Sequence, residues 1–448
     1  MIINQPLVSL CFILLAAIGN LGCNAQPTAN NTMSHSPAAE LDFTQPQVFR
    51  FDNHQGASGE HKVSPDQQYT EQSGYGFDLQ THPTNNNDPF YFSVAVPEGN
   101  YRVIVEFGHT TLASTNTLRA ELRRLYVKDL TTAAGEFIQR SFIVNIRNGL
   151  LQAPELNAPG ATRVTLKELE QHRLHWDNKL TLEFNGAAPQ VRSISLQQVN
   201  VPTVYLVGDS TVTDQPYEPA ASWGQMLPYF FTAPLFKGEI AIANHAESGE
   251  TMKSFITAGR LAKVLERMKA GDYLLIQFGH NDQKKQWPQT YVEATTTYKD
   301  YLNVFIAEAR LRGATPVLIT SMQRRTFNDQ GKIVNSHGLY PQAVREVARE
   351  KNITLIDLDK MSVQLYEALG VNKAPLAFND NGKDATHHNN YGAYQLARCV
   401  IESIRQSSLP LAAQLSNQPA YHPAQPDPVE HFVLAPSPQA SSLRPDGN

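Results

Sequence analysis

Cysteine is nearly missing from this chain, with three in 448 residues, at positions 11, 23 and 399. So few exclude a disulfide framework, and Cys399 has no obvious partner even in an oxidising compartment. Charge of one sign is missing too. The formal net charge is −5 and no basic patch interleaved with aromatics stands out, which argues against nucleic acid as a partner and against a polybasic membrane contact. No apolar run is long enough to span a bilayer comfortably. The 14 histidines include no His-Glu-x-x-His helix and there are no paired cysteines, so neither a catalytic metal nor another cofactor is expected.

What the chain does have begins with Leu7 to Ile18, LVSLCFILLAAI, an apolar stretch with the length of a signal-peptide core. Residues 1–25 therefore read as an export signal, and the protein as periplasmic or secreted. Two processing sites compete: plain cleavage after Ala25, or a lipoprotein-like Leu21-Gly22-Cys23 that would place a lipid anchor on Cys23, the one membrane contact expected. Residues 26–40 are small and polar, a linker.

Two periodicities follow, as expected of a chain too long for one typical core. Over 41–202 the chain reads as strands: 47–52, 90–96, 101–107, 137–146, 179–184 and 191–199 alternate apolar and polar residues or run β-branched, with turn residues between them. An all-β jelly-roll sandwich is expected there. Over 203–410 short β-branched runs (203–207, 240–244, 273–278, 316–320, 353–358) alternate with helical patterns at 252–270 and 297–313. That alternation predicts a five-stranded parallel sheet covered by helices on both faces, an α/β/α sandwich. Residues 411–448 are a Pro-rich tail, with Tyr421, Phe432, Val433 and Leu434 arguing for partial docking.

In a parallel sheet ligands gather at the carboxyl ends of the strands. Gly208-Asp209-Ser210-Thr211 ends the first of these runs, and three more polar clusters belong to the same half: 247–251 (ESGET), 278–282 (FGHND) and 384–393 (DATHHNNYGA). Each alone is turn and cap chemistry. Together they can supply a hydroxyl nucleophile, Ser210, a base, His387, and a carboxylate, Asp384, to hold the base's tautomer. The Asp-x-x-His spacing selects His387 over His388. Donors for an oxyanion would be the backbone N–H groups of Ser210 and Gly249 and the side-chain amide of Asn281, with Gly249 expected to be glycine because the backbone approaches the substrate closely. No Gly-x-Ser-x-Gly elbow occurs, which removes the α/β-hydrolase arrangement.

The four clusters in this order resemble the SGNH, or GDSL-type, hydrolases. "GDSTVTDQ", "ANHAESGETMKSF", "IQFGHNDQK" and "DATHHNNYGA" are similar to the rhamnogalacturonan acetylesterase branch, and the resemblance covers roughly 203–405. It implies an α/β/α fold and metal-free removal of acetyl groups from a pectic polysaccharide by Ser210, Asp384 and His387. The strand-rich half, with "GYGFD", "VPEGNYRV" and "KLTLEFNG", resembles a galactose-binding-type module. Lys284, Lys285, Arg324, Arg325 and His337 follow strands on the same rim and are candidates to meet uronate carboxylates. Trp223 reads as core, while Trp287 could stack on a sugar. A lipase or thioesterase acting on longer acyl chains, or an inactive carbohydrate-binding protein, are the alternatives.

Overall fold

The computed structural model describes residues 41–52, 59–81, 83, 88–154, 158–232, 239–441 and 445. The expected signal peptide, the linker and Cys23 lie outside them. The described strands before residue 200 are β1 (Gln47–Arg50), β2 (Glu60–Lys62), β3 (Tyr75–Asp78), β4 (Phe90–Ala95), β5 (Gly99–Phe107), β6 (Ser114–Ala120), β7 (Arg124–Thr132), β8 (Ile138–Ile146), β9 (Lys179–Asn185) and β10 (Val191–Val199). In β5 the side chains of Tyr101, Val103, Val105 and Phe107 are buried and those between them are not, the period of two that the sequence shows. Strands β2, β3, β6 and β7 carry less alternation and were not expected. Strands β3-β4-β9-β6-β7 form one sheet, β8-β5-β10-β1-β2 belong to another, and Phe49, Phe92, Val103, Leu118, Phe142 and Phe184 are part of the apolar core the two share.

The second half supplies β11 (Thr203–Gly208), β12 (Ala220–Ala221), β13 (Ala241–Asn244), β14 (Tyr273–Gln277), β15 (Thr315–Ile319), β16 (Thr354–Ile356) and β17 (His388–Asn389). Its helices are α1 (Trp223–Met226), α2 (Met252–Thr257), α3 (Arg260–Arg267), α4 (Thr297–Leu311), α5 (Tyr340–Lys351), α6 (Leu358–Lys373) and α7 (Asn390–Gln406). Successive residues of β11 face opposite ways. Val204 and Leu206 pack in a cluster with α1, α6 and α7, whereas Tyr205 and Val207 pack with α2 to α5, so helices cover both faces of the sheet. The single helix expected over 252–270 is two, because Gly259 takes φ +74° between α2 and α3.

Strands β16-β15-β14-β11-β13 run parallel, yet the sheet does not stop at five. It has ten strands, because the outer edge of β13 pairs with β8 through Ile242 and Val144. Left alone, that edge would present unpaired N–H and C=O groups; the strand-rich half covers it. Residues Ala39 to Asn448 accordingly form one compact unit. The tail docks as well: the Ser437 N–H donates to Glu218 (2.9 Å), its hydroxyl donates to Glu183 (2.7 Å), and the Asn185 amide donates to the Pro436 carbonyl. The order of the parallel strands reverses around β11, since β13 lies on one side of it and β14 on the other. The end of β11 is thus the topological switch point.

Candidate active site

Ser210 stands two residues past β11. The turn that carries it is closed by the Val212 and Thr213 N–H groups donating to the Asp209 carbonyl, at 3.0 and 3.1 Å. The Asp209 carboxylate accepts from the Thr211 N–H (3.0 Å) and hydroxyl (2.8 Å), so the turn chemistry read in the sequence is present. Burial alone would raise the Asp209 carboxyl; the His280 imidazole, 3.3 Å away, and the Thr211 donors hold it down instead, to about 2. Below the serine, the Gln215 amide donates to its carbonyl at 2.6 Å. A second chain runs from Trp223 Nε1 to Gln277 (2.8 Å) and from the Gln277 amide to the Thr211 hydroxyl (2.7 Å), which places Trp223 in the core as expected.

Far along the chain, the loop before α7 brings the other two residues in. The Ser210 hydroxyl lies 2.8 Å from His387 Nε2, and His387 Nδ1 lies 2.9 Å from Asp384 Oδ2. All three are within 3% of full burial. The other Asp384 oxygen accepts from the backbone N–H groups of Thr386 (2.8 Å) and His387 (3.0 Å). Burial would raise the Asp384 carboxyl, but the bond to the His387 ring and these two amides hold it well below the usual carboxylate range. A buried carboxylate kept ionised fixes the Nδ1–H tautomer, leaving Nε2 to accept the serine proton. His388 turns the other way. Its ring packs against Phe378 and Tyr366 and its Nε2 meets the Tyr366 hydroxyl at 2.7 Å, and burial pushes its pKa down to about 3.

The loops bearing Gly249 and Asn281 adjoin one another. The Asn281 side-chain amide donates to the Glu250 carbonyl at 3.1 Å, and the Glu247 N–H donates to the carbonyl of Gly208, next to the serine turn, at 3.2 Å. Gly249 has φ +77°, a left-handed conformation that explains its glycine better than the close approach expected from sequence. Beside Asn281, burial pushes the Asp282 carboxyl up to about 7 against the Met252 N–H that it accepts at 3.0 Å.

The expected rim residues separate. His337 is a correction, for it is fully buried rather than facing a substrate. Burial keeps it neutral; its Nε2 lies 2.8 Å from the Met322 carbonyl and its Nδ1 2.9 Å from the Gln283 side-chain amide, while the ring meets His280 edge to face. Arg325 is also turned inward: its guanidinium donates to the carbonyls of Gly382 and Asp384 and lies over Phe378, bracing the loop that carries Asp384. Arg324 is half-buried and donates to the carbonyls of His280 (3.3 Å) and Ser336 (3.5 Å). The Lys284 ammonium sits 4.2 Å over the Trp287 ring, which takes that ring as its own partner.

Sequence reasoning missed Asp209 and His280 as a pair, and Glu247 with its partners Arg173 and Glu170 in the strand-rich half. The available signal was the charged run LKELEQHR at 166–173, dense in ions for a strand-rich segment. Glu170, His175 and Glu247 bring three groups that could ligate a metal within 4.8 Å of one another, but Arg260 and Arg173 already engage the two carboxylates.

Residues 206–394 match the GDSL-like lipase/acylhydrolase family. The chain is similar to rhamnogalacturonan acetylesterase RhgT of Bacillus subtilis (strain 168), 39% identical over 225 residues that cover 47% of this chain and 93% of that protein. It is 36% identical over 217 residues to the probable rhamnogalacturonan acetylesterase YesY of the same organism, covering 47% of this chain and 96% of that one. Uncharacterized esterase YxiM, also of Bacillus subtilis, is 25% identical over 394 residues, 82% of this chain and 92% of the relative. The buried serine, the order of the polar loops and the match to RhgT lead to one conclusion: this chain belongs to the GDSL-like lipase/acylhydrolase family and is a serine carboxylic ester hydrolase.

Proposed function

We propose that this esterase removes O-acetyl groups from a plant cell-wall polysaccharide, and that the polysaccharide is acetylated rhamnogalacturonan. The observation that carries the reading is the unbroken line from Asp384 through His387 to the Ser210 hydroxyl, with contacts of 2.9 and 2.8 Å. Ser210 Oγ attacks the acetyl carbonyl carbon as its proton passes to His387 Nε2. The carbonyl oxygen becomes an oxyanion met by the N–H groups of Ser210 and Gly249 and by the Asn281 amide. The intermediate collapses, the C–O bond to the sugar breaks, and the sugar hydroxyl leaves with the proton from His387. Water then gives its proton to the same imidazole and attacks the acetyl carbon; the bond from that carbon to Ser210 Oγ breaks, His387 returns the proton to Oγ, and acetate leaves.

Two observations support the substrate class. One relative at 39% identity is named rhamnogalacturonan acetylesterase, and a second, at 36%, probable rhamnogalacturonan acetylesterase. Arg324 lies near the site, feeling the Asp209 and Asp384 charges, and with Lys284 is the cation we assign to a uronate carboxylate. We also propose that residues 1–25 direct export, which would suit a polymer that stays outside the cell. Acetate release from acetylated rhamnogalacturonan, homogalacturonan and xylan, measured beside hydrolysis of an octanoyl ester, tests the proposal. Rhamnogalacturonan should be the fastest. Faster release from xylan, or faster cleavage of the octanoyl ester, would overturn it.

A further inference from the structure

Residues 165–176 lie in the strand-rich half but contribute no strand to either sheet. They carry buried charge and press it against the loop Glu247–Glu250. The Arg173 guanidinium donates to both oxygens of Glu247, each at 3.0 Å. The Lys167 ammonium donates to the Ser248 carbonyl and lies 3.4 Å from the Glu250 carboxylate. Glu170 pairs with Arg260 at the start of α3, which lies 3.6 Å from Glu250, and accepts from Trp176 Nε1 at 3.2 Å. The Thr165 N–H donates to the Ala258 carbonyl at 2.8 Å, where α2 ends. On its inner side the same loop is held by the Gly208 carbonyl and the Asn281 amide. Gly249 therefore sits between two sets of contacts, one from each half of the chain.

The Ser248–Gly249 peptide is where this matters. A peptide is planar and trans, so its C=O and N–H point in opposite directions. A cation that captures the Ser248 carbonyl from the strand-rich side therefore turns the Gly249 N–H the other way and polarises it as a donor. Gly249, at φ +77°, has the freedom to adopt other orientations if that carbonyl is released.

We propose that Lys167 is a positioning residue for the Gly249 N–H, with Arg173 anchoring the preceding residue, so that the strand-rich half completes the oxyanion-binding loop. The inference rests on the reading of Gly249 and Asn281 as oxyanion donors. Lys167 touches no substrate and acts through the peptide it holds.

The test compares the full-length protein with Lys167→Met, Lys167→Arg and Asn281→Ala, reading kcat and KM on an acetyl ester, Tm, and inhibition by an alkylboronic acid, whose tetrahedral serine adduct uses the same donors. Lys167→Met should lower kcat about tenfold or more, less than loss of a donor outright, with KM within about twofold. Boronate affinity should fall in parallel with kcat, Tm should hold because the Lys167 side chain is about one-third exposed, and Lys167→Arg should restore most of the loss. Should Lys167→Met not fold, Lys167→Gln removes the charge with a smaller change and is read the same way. Unchanged kcat and boronate affinity in the Lys167 variant, beside a slow Asn281→Ala, would overturn the positioning role alone. A fall in Tm and kcat with boronate affinity intact would mark a purely structural role and overturn it too. Asn281→Ala with wild-type kcat would instead overturn the oxyanion reading beneath it.

Discussion

Asp384 accepts from the His387 ring at 2.9 Å and from two backbone amides, so each carboxylate oxygen has a fixed partner. Replacing it by Asn keeps the size of the side chain but offers an N–H where the imidazole N–H now donates, which favours the wrong tautomer. Asp384→Asn should therefore lower kcat on an acetyl ester by something like 10⁴-fold, with circular dichroism unchanged. A loss of less than about tenfold would mean that the imidazole is held by something else. At this scale the sequence was informative where chemistry demands a residue type at a fixed spacing: Asp-x-x-His picked His387, and the ring of His388 indeed points into the core. It misled for His337 and Arg325. A cation or imidazole after a strand looks the same in sequence whether it faces solvent or folds inward to satisfy carbonyls, as both of these do.

At the scale of elements, the proposed base, His387, is carried by the loop that leads into α7. The Asn389 side chain caps that helix by accepting from the Gly392 N–H at 3.1 Å, and β17, just before it, pairs with β12. Gly392 packs so closely that a Cβ there would fall on the Ala377 carbonyl and 2.8 Å from a ring carbon of His388. Gly392→Ala should cost about 1–3 kcal/mol from overpacking and, by shifting residues 387–389, lower kcat more than it raises KM. Denaturant unfolding and steady-state kinetics on the same preparation measure both; an unchanged midpoint with normal kcat would show that the helix start tolerates displacement. The parallel strands and α4 were legible because β-branched runs and three- and four-residue steps leave a local imprint. The split between α2 and α3 was not, since one glycine in a helical pattern signals either a tolerated residue or a break, and only its φ of +74° decides.

At the scale of the whole molecule, the hardest thing to read was the ten-stranded sheet. Pairing of β13 with β8 joins residues about a hundred apart in the chain, and no local pattern records such a contact. The buried charges are equally non-local, and they set how stability responds to pH. Burial pushes the carboxyls of Asp177 to about 6 and Asp282 to about 7, and it raises Glu247 also, against the Arg173 charge and with the Glu170 charge adding to it. A raised folded-state value means that the native protein holds more protons than the unfolded chain between about pH 4 and 7, so stability falls as pH rises through that window. Asp209 and Asp384 have the opposite sign: their stabilisation is present above about pH 4 and is lost as pH falls below it. The imidazoles of His175, His245, His337 and His388 oppose the raised carboxyls: burial lowers their values, so below about pH 6.5 the unfolded chain binds protons that the native protein does not, and they cost stability in acid. The Asp282 carboxyl is therefore read by difference: Asp282→Asn, which mimics the protonated acid, should gain in Tm relative to the wild type as pH rises from about 5 to about 8. A Tm difference between the two proteins that stays flat over that range would contradict this account of the buried carboxyl.

The claim on which the rest depends is that one hydroxyl, Ser210, carries the acetyl group between substrate and water. Rapid acid quench of the full-length protein turning over an acetyl ester, followed by peptide mass spectrometry, tests it most directly. The expected result is a single acetylated peptide containing Ser210, its label disappearing as substrate is exhausted, and neither label nor acetate release above background in Ser210→Ala. Wild-type acetate release by Ser210→Ala, or a transient acetyl group found on another residue, would contradict it.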